Sequence, residues 1–168
     1  MSFPVGPHEE ERLRILLETG ALDSETDPIF DRICDEACLH FDVPICTLTL
    51  LDQARQRIKA AQGIEPGETP RNVAFCNYTI LSDDVFVVPD ALEDERFKDN
   101  PFVTNHPFIR FYAGAPLIFL ENIRLGALCL LDTKPRSFSR GDKAELQLYA
   151  ARIVREIAAQ EFEKADRR

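Results

Sequence analysis

No stretch of the 168 residues stays apolar long enough to span a bilayer, and no repeat or low-complexity segment appears. The opening Met1-Ser2-Phe3-Pro4 lacks the basic-then-apolar pattern of a secretion signal. Together these set the expectation of a cytoplasmic protein with no membrane partner. Positive charge is in deficit, with 20 Lys and Arg against 29 Asp and Glu and a net charge of -9. Such a balance repels nucleic acid and anionic membrane surfaces over a Debye length, so neither is expected as a partner. The three histidines (His8, His40, His106) are scattered. They complete no Ser-His-Asp set and no metal cluster, and no phosphate-binding glycine loop occurs. No catalytic residue, metal or cofactor is assigned.

The five cysteines are odd in number, and no Cys-x-x-Cys pair occurs among them. They read as reduced thiols rather than a disulfide framework. Cys34 and Cys38 join Phe30, Ile33, Ala37 and Phe41 on one helix face. A zinc site there would need two more ligands, and only His40 is near, on a different face.

By length the chain is a single domain, 1–168: N-terminal helices over 8–41, sheet and lid over 44–132, and a C-terminal helix over 139–165. The first helix, 9–19, has Leu13, Leu16 and Leu17 as its inner side, with Gly20 placed to end it in the left-handed conformation and Leu22 just beyond. Asp27-Pro28 is a helix start, a capping carboxylate before proline. The near-continuous apolar run 45–51 predicts a central strand. A return strand over 56–62, with Arg57 and Lys59 on one face and Ile58 and Ala60 on the other, suits an edge position. The breaker-rich 63–70 reads as a loop, and Asn72 as the cap of a short helix over 73–81. Glu121-Asn122 turns the last hairpin. Ser139-Arg140-Gly141-Asp142 has capping-box spacing before the final helix. That helix carries Leu146, Tyr149, Ala150, Ile153, Val154, Ile157, Ala158 and Phe162 over roughly 200° of its surface, wider than the ~100° stripe one core contact needs. A homodimer through terminal helices would cover the surplus. The alternative is a helix buried on two sides within one chain. The charged residues from Glu161 to the end form a solvated terminus, or the point where a longer parent chain continues.

The strand around 111–117 alternates, with Phe111, Ala113 and Ala115 on one face and Arg110, Tyr112 and Gly114 on the other. Before it lies a long charged connection whose rings, Phe97, Phe102 and Phe108, call for burial. It reads as a lid over one face of a sheet. Here the chain resembles a known family. Phe86-Val87-Val88-Pro89-Asp90-Ala91, Asp94-Glu95-Arg96-Phe97, Asn100-Pro101 and Ile109-Arg110-Phe111-Tyr112-Ala113-Gly114-Ala115-Pro116-Leu117 look like a GAF domain. They resemble the subtype often found ahead of histidine kinases and diguanylate cyclases in bacterial signalling proteins. Ala74-Phe75-Cys76-Asn77-Tyr78-Thr79-Ile80-Leu81 and Leu125-Gly126-Ala127-Leu128-Cys129 fit the same pattern. The resemblance implies an α/β fold (an α+β sandwich) with a central antiparallel sheet. The N- and C-terminal helices cover one face, the lid and short helix the other.

The ligand-binding candidates follow from that arrangement: Phe75, Cys76, Tyr78 and Thr79 from the short helix, Asp90, Phe97 and Asn100 from the lid, Arg110, Tyr112 and Gly114 from the strand. Aromatic walls with a few polar groups suit a small-molecule site. The guanidinium of Arg110 is suited to fork onto a carboxylate or phosphate. Asp90 and Asn100 serve equally well as turn caps, and Arg96 or Arg110 as partner of a lid carboxylate. Relatives that bind cyclic nucleotides carry Asn-Lys, Phe and Asp-Glu. Here Phe86 and Asp90 remain, Ala91 stands in place of the Glu, and Asn72-Val73 or Asn77-Tyr78 in place of Asn-Lys. Bilin-binding relatives use a Cys-His pair that this chain lacks. A sulfoxide reductase would place its reactive cysteine on 111–117, where there is none, although Cys76 facing Cys129 or Cys46 offers a second arrangement. Three functions are therefore carried forward. The first is non-enzymatic sensing of a small polar or anionic metabolite, coupled to a histidine kinase or diguanylate cyclase output. The others are a thiol enzyme resembling free methionine sulfoxide reductase and a ligand-free dimerisation module.

Overall fold

A computed structural model describes residues 3–23 and 27–166, with side chains described as far as Glu161. Phe162 as part of the final stripe, the charged residues after it and Met1-Ser2 therefore lie outside the described side chains. In order the chain forms α1 (Glu9–Thr19), α2 (Pro28–Phe41), β1 (Ile45–Leu51), β2 (Arg55–Gln62), β3 (Gly67–Pro70) and α3 (Cys76–Thr79). These are followed by β4 (Phe86–Val88), α4 (Pro101–Thr104), β5 (Phe111–Leu120), β6 (Ile123–Asp132) and α5 (Arg140–Asp166). The six strands make one antiparallel sheet in the order β3-β2-β1-β6-β5-β4.

Side-chain alternation splits the apolar residues between the two faces of this sheet. On one face Ile15 and Leu16 of α1, Phe30, Ile33, Cys34 and Ala37 of α2, and Leu146, Ala150, Ile153 and Ile157 of α5 pack on Cys46, Leu48, Leu50, Phe111, Ala113 and Ala115. On the other, Phe75, Cys76, Ile80, Ala91, Phe97 and Val103 pack on Ile45, Leu51, Val88, Tyr112, Ala127 and Cys129. The α+β sandwich expected from the sequence is the fold observed. Among the described residues no helix is long and apolar enough to cross a membrane.

The termini of the helices follow local chemistry. Gly20 sits at φ 69 after α1, and Leu22 is buried beside it. The Asp27 carboxylate accepts from Ile29 N–H at 2.9 Å, with Pro28 in the first helical turn. Before α5, Ser139 N–H donates to Asp142 Oδ2 at 2.9 Å, and Asp142 N–H donates to Ser139 Oγ at 3.0 Å.

Several local expectations are corrected. Leu17 is 63% exposed. The inner side of α1 is turned toward Arg12, Ile15, Leu16 and Thr19, and Arg12 reaches the Arg124 and Leu125 carbonyls at 3.5 Å. Residues 67–70 are a strand despite their breakers, because β2 offers them an open ladder, Arg55 against Pro70 through Ile58 against Gly67. β2 is therefore not an edge. A bulge at Lys59 lets Leu48 pair with Ala60 and Thr49 with Ile58. The extra residue changes the phase, so Ala60 joins the helical core while Ile58 faces the other layer. The single short helix is two turns, 3₁₀ at Arg71–Val73 and α3, separated by extended Ala74. Asn72 lies inside the first turn rather than capping a helix.

Candidate functional site

Between the sheet and the α3–lid layer lies a cavity of about 760 Å³. Its floor is Ile45, Thr47 and Thr49 of β1, Gln56 and Ile58 of β2, Tyr112 of β5 and Leu131 of β6. Val73, Ala74, Phe75 and Cys76 make one wall, and the β2–β3 connection adds Gly63, Ile64 and Glu65, with Thr69 of β3 beside them. Phe102, His106, Pro107 and Ile109 of the lid form the opposite side of this half-open hollow. The size and the mostly apolar lining suit one small molecule.

Phe75, Cys76 and Tyr112 are the sequence-predicted site residues that line this hollow. The others lie elsewhere, for identifiable reasons. Phe97 stacks on Phe75 with centroids 4.2 Å apart and meets Tyr78 edge-on at 5.2 Å. Phe86 closes the cluster beside Tyr78 and Tyr112, and the Arg96 guanidinium lies 4.9 Å from the Phe86 centroid. The space beneath the acidic part of the lid is thus filled by the protein's own rings, and the hollow opens farther along, over β1 and β2. Thr79 Oγ1 is 2.7 Å from the Tyr112 hydroxyl. Gly114 lies under that phenol, where an added Cβ would come within 2.2 Å of the oxygen. The close approach at Gly114 is made by Tyr112 itself.

The polar candidates of the lid shape its backbone. Asp90 Oδ1 accepts from Leu92 N–H at 3.1 Å. Asn100 Oδ1 accepts from Phe102 N–H at 2.9 Å while its Nδ2 donates to Val73 O, pinning α4 to the cavity wall. Arg110 Nη1 donates to Val103 O at 2.9 Å and Ile109 O at 3.0 Å. Its guanidinium holds lid carbonyls and does not line the cavity.

Sequence reasoning missed most of the floor. One signal was available: Thr47 and Thr49 interrupt an apolar strand at period two, opposite Cys46, Leu48 and Leu50. Gln56 and Ile58 were hidden by the bulge. The charge-bearing residues of the lining are Glu65 and His106, both exposed, and none of the described lining residues is Lys or Arg. Gln56 Nε2 donates to Thr69 Oγ1 at 3.1 Å, and its buried Oε1 has no hydrogen-bond partner. No group of three His, Cys, Asp or Glu among the described residues is placed to hold a metal.

Two buried clusters fix the walls. Cys76 Sγ and Cys129 Sγ stand 3.1 Å apart, with the Tyr112 hydroxyl 3.3 Å from each. Burial pushes the Cys76 thiol up, but hydrogen bonds with Cys129, Thr49 and Tyr112 outweigh it and leave the net shift downward. Burial raises Cys129 and Tyr112 well above their ordinary values, so the proton stays on them. At the end of the sheet, fully buried Arg71 donates to Asn77 Oδ1 at 2.7 Å, to Glu9 Oε2 at 2.6 Å and to Asp52 O at 3.1 Å. This binds α1, the β1–β2 turn and α3 together. Burial pushes the Glu9 carboxyl up, but its hydrogen bonds with Arg12 and Arg71 prevail and lower it to about 2.

Comparison with known proteins places this architecture. Among curated proteins, a cyclic di-GMP phosphodiesterase of Pseudomonas aeruginosa is 40% identical over 159 residues, 94% of this chain and 27% of that protein. The chain thus spans about a quarter of that relative's length. The GAF domain of a phosphoenolpyruvate-protein phosphotransferase from Coxiella burnetii superposes with a TM-score of 0.69 at 16% identity, covering 93% of this chain and 96% of that one. Free methionine-R-sulfoxide reductase from Neisseria meningitidis, solved with its substrate, superposes with a TM-score of 0.64 at 15% identity, covering 98% of each chain. At such identities the two structures share the fold alone. A sensory, regulatory role fits the phosphodiesterase relative, and the profile describing the GAF domain matches residues 25–157, so the chain belongs to the GAF domain family.

Proposed function

We propose that this GAF domain is a non-enzymatic sensor that holds a small molecule in the cavity over β1 and β2 and reports its occupancy to a signalling output. The observation that carries this reading is the half-open hollow of about 760 Å³, with an apolar lining and a few hydroxyl and amide groups. The lining changes the kind of ligand from the anion that Arg110 suggested. With no Lys or Arg among the described lining residues, a buried carboxylate or phosphate would keep most of its desolvation cost. The ligand is therefore uncharged, largely apolar, and polar along one edge that meets Thr47, Gln56 or Thr69.

The lid is the element that senses occupancy, because Phe102 and Ile109 touch the cavity directly. Its root is tied to the helical layer: Arg136 N–H donates to Pro89 O at 3.1 Å, and Arg136 Nη1 donates to Phe41 O at 3.2 Å. Arg136 stands just before α5, so a shift of the lid root moves the start of that helix. In a homodimer formed through the terminal helices, α5 carries the change onward to a cyclic di-GMP phosphodiesterase, a cyclase or a histidine kinase. Leu148, 67% exposed on α5, is the side chain most in need of such cover. The site of action is the cytoplasm, consistent with five free thiols.

The test is mass spectrometry of small molecules released from purified protein, followed by calorimetry of those found. Ile58→Trp, which plugs the floor, is expected to abolish binding. Arg110→Ala is expected to keep the affinity within about tenfold, since a lost lid contact is worth about 0.5–1.5 kcal/mol. Binding that survives the plug would remove the cavity as the site.

A further inference from the structure

We propose that Cys76, in the cavity wall, and Cys129, behind it in the sheet, form a reactive dithiol site, which small peroxides oxidise to an intramolecular disulfide. Cys76 lines the cavity, whereas Cys129 on β6 is wholly buried and does not. A reagent in the hollow therefore meets the Cys76 sulfur first. Cys129 is reached through that sulfur, 3.1 Å away. The two thiols consequently have different roles, one attacking and one resolving. Tyr112 supplies a hydroxyl 3.3 Å from both sulfurs, itself 2.7 Å from Thr79 Oγ1; its single proton is donated to Cys76 Sγ, which leaves the phenol oxygen to accept from the Cys129 thiol. Cys34, Cys38 and Cys46 are buried on the opposite face among the helices, away from this cavity. They serve as internal controls.

The chemistry balances with the peroxide as oxidant. The Cys76 thiolate attacks one peroxide oxygen, an S–O bond forms and the O–O bond breaks. The departing hydroxide takes up the proton shed by Cys76, through the Tyr112 hydroxyl, and leaves as water. The Cys129 sulfur then attacks the Cys76 sulfenic acid, the S–S bond forms, the S–O bond breaks, and the second hydroxide leaves as water with the Cys129 proton. Two thiols lose two electrons in all, and one hydrogen peroxide becomes two waters. Closing the sulfurs to about 2.05 Å ties α3, a wall of the cavity, covalently to the sheet.

The experiment treats the folded protein with hydrogen peroxide, alkylates the remaining thiols under denaturing conditions and maps the peptides by mass spectrometry. The expected result is a cross-link between the Cys76 and Cys129 peptides, with Cys34, Cys38 and Cys46 alkylated. In Cys129→Ser the Cys76 sulfenic acid is expected to persist and be trapped by dimedone. Ile58→Trp, which fills the hollow from its floor, is expected to slow oxidation by at least about tenfold, because access governs the rate at a buried thiol. A cross-link to any other cysteine, a Cys76 still fully alkylated when an exposed control thiol is oxidised, or an unchanged rate in Ile58→Trp would each overturn the proposal. The wild-type peptide map and the Ile58→Trp rate decide the matter even if Cys129→Ser does not fold. The sensing proposal stands or falls separately, on calorimetry with the reduced protein.

Discussion

Replacing Glu9 by Gln isolates one charge at the junction that holds α1 to the cavity wall. The Glu9 carboxylate takes Arg12 Nε at 2.9 Å and Nη2 at 3.0 Å, and Arg71 Nη1 at 2.6 Å and Nη2 at 3.3 Å. Glutamine keeps the shape and removes the charge, as protonation does. The carboxyl is lowered from 4.5 to about 2 in the folded chain. A depressed value means that the stabilisation is complete above the unfolded value and is lost as pH falls through the folded one. At about 1.4 kcal/mol per unit the ceiling is about 3 kcal/mol. The Glu9 side chain is 17% exposed, and solvent screening reduces the expected effect to about 1–2 kcal/mol. Urea denaturation of both proteins from pH 7 downward is the assay. The expected deficit of Glu9→Gln is full at pH 7, shrinks below about pH 4.5 and closes toward pH 2. A deficit that stays constant across that window, or none at pH 7, would refute the reasoning.

Gly126→Ala is expected to destabilise by about 3 kcal/mol or more, because its Cβ would lie 1.9 Å from the Thr49 carbonyl oxygen and 2.9 Å from Leu50 Cα, backbone that cannot step aside; thermal melting reads this out. Arg110→Ala removes two hydrogen bonds to lid carbonyls, so amide exchange across 101–109 should accelerate while global stability falls by only about 1–2 kcal/mol. Tyr112→Phe leaves the Thr79 hydroxyl without its phenol partner, with an expected loss of about 1–3 kcal/mol by denaturant titration.

The elements that were readable from the sequence are those governed by near neighbours. Asp27-Pro28, Gly20 and the Ser139–Asp142 box act through bonds a few residues long, so their chemistry determined where helices begin and end. The alternation of Phe111, Ala113 and Ala115 against Tyr112 likewise determined which side of β5 meets the helices. Motifs spread over nearly the whole chain carried the GAF resemblance. The helical face of α5 was harder to read: among the described residues the buried stripe narrows to Leu146, Ala150, Ile153 and Ile157, while Tyr149 is half covered near His40 and Phe41 and Ala158 is exposed.

The place of the hollow was decided only in three dimensions. Phe75, Phe97, Tyr78 and Phe86 come from three separate segments, and whether their rings fill a space or line one depends on how those segments meet. The bulge at Lys59 moved Ile58 to the cavity floor, and pairing of β3 with β2 set Thr69 beside Gln56. Local sequence determined two apolar faces and the caps that bound them. Long-range packing decided where on the second face the protein's own side chains run out, because a void is defined by atoms far apart in the chain.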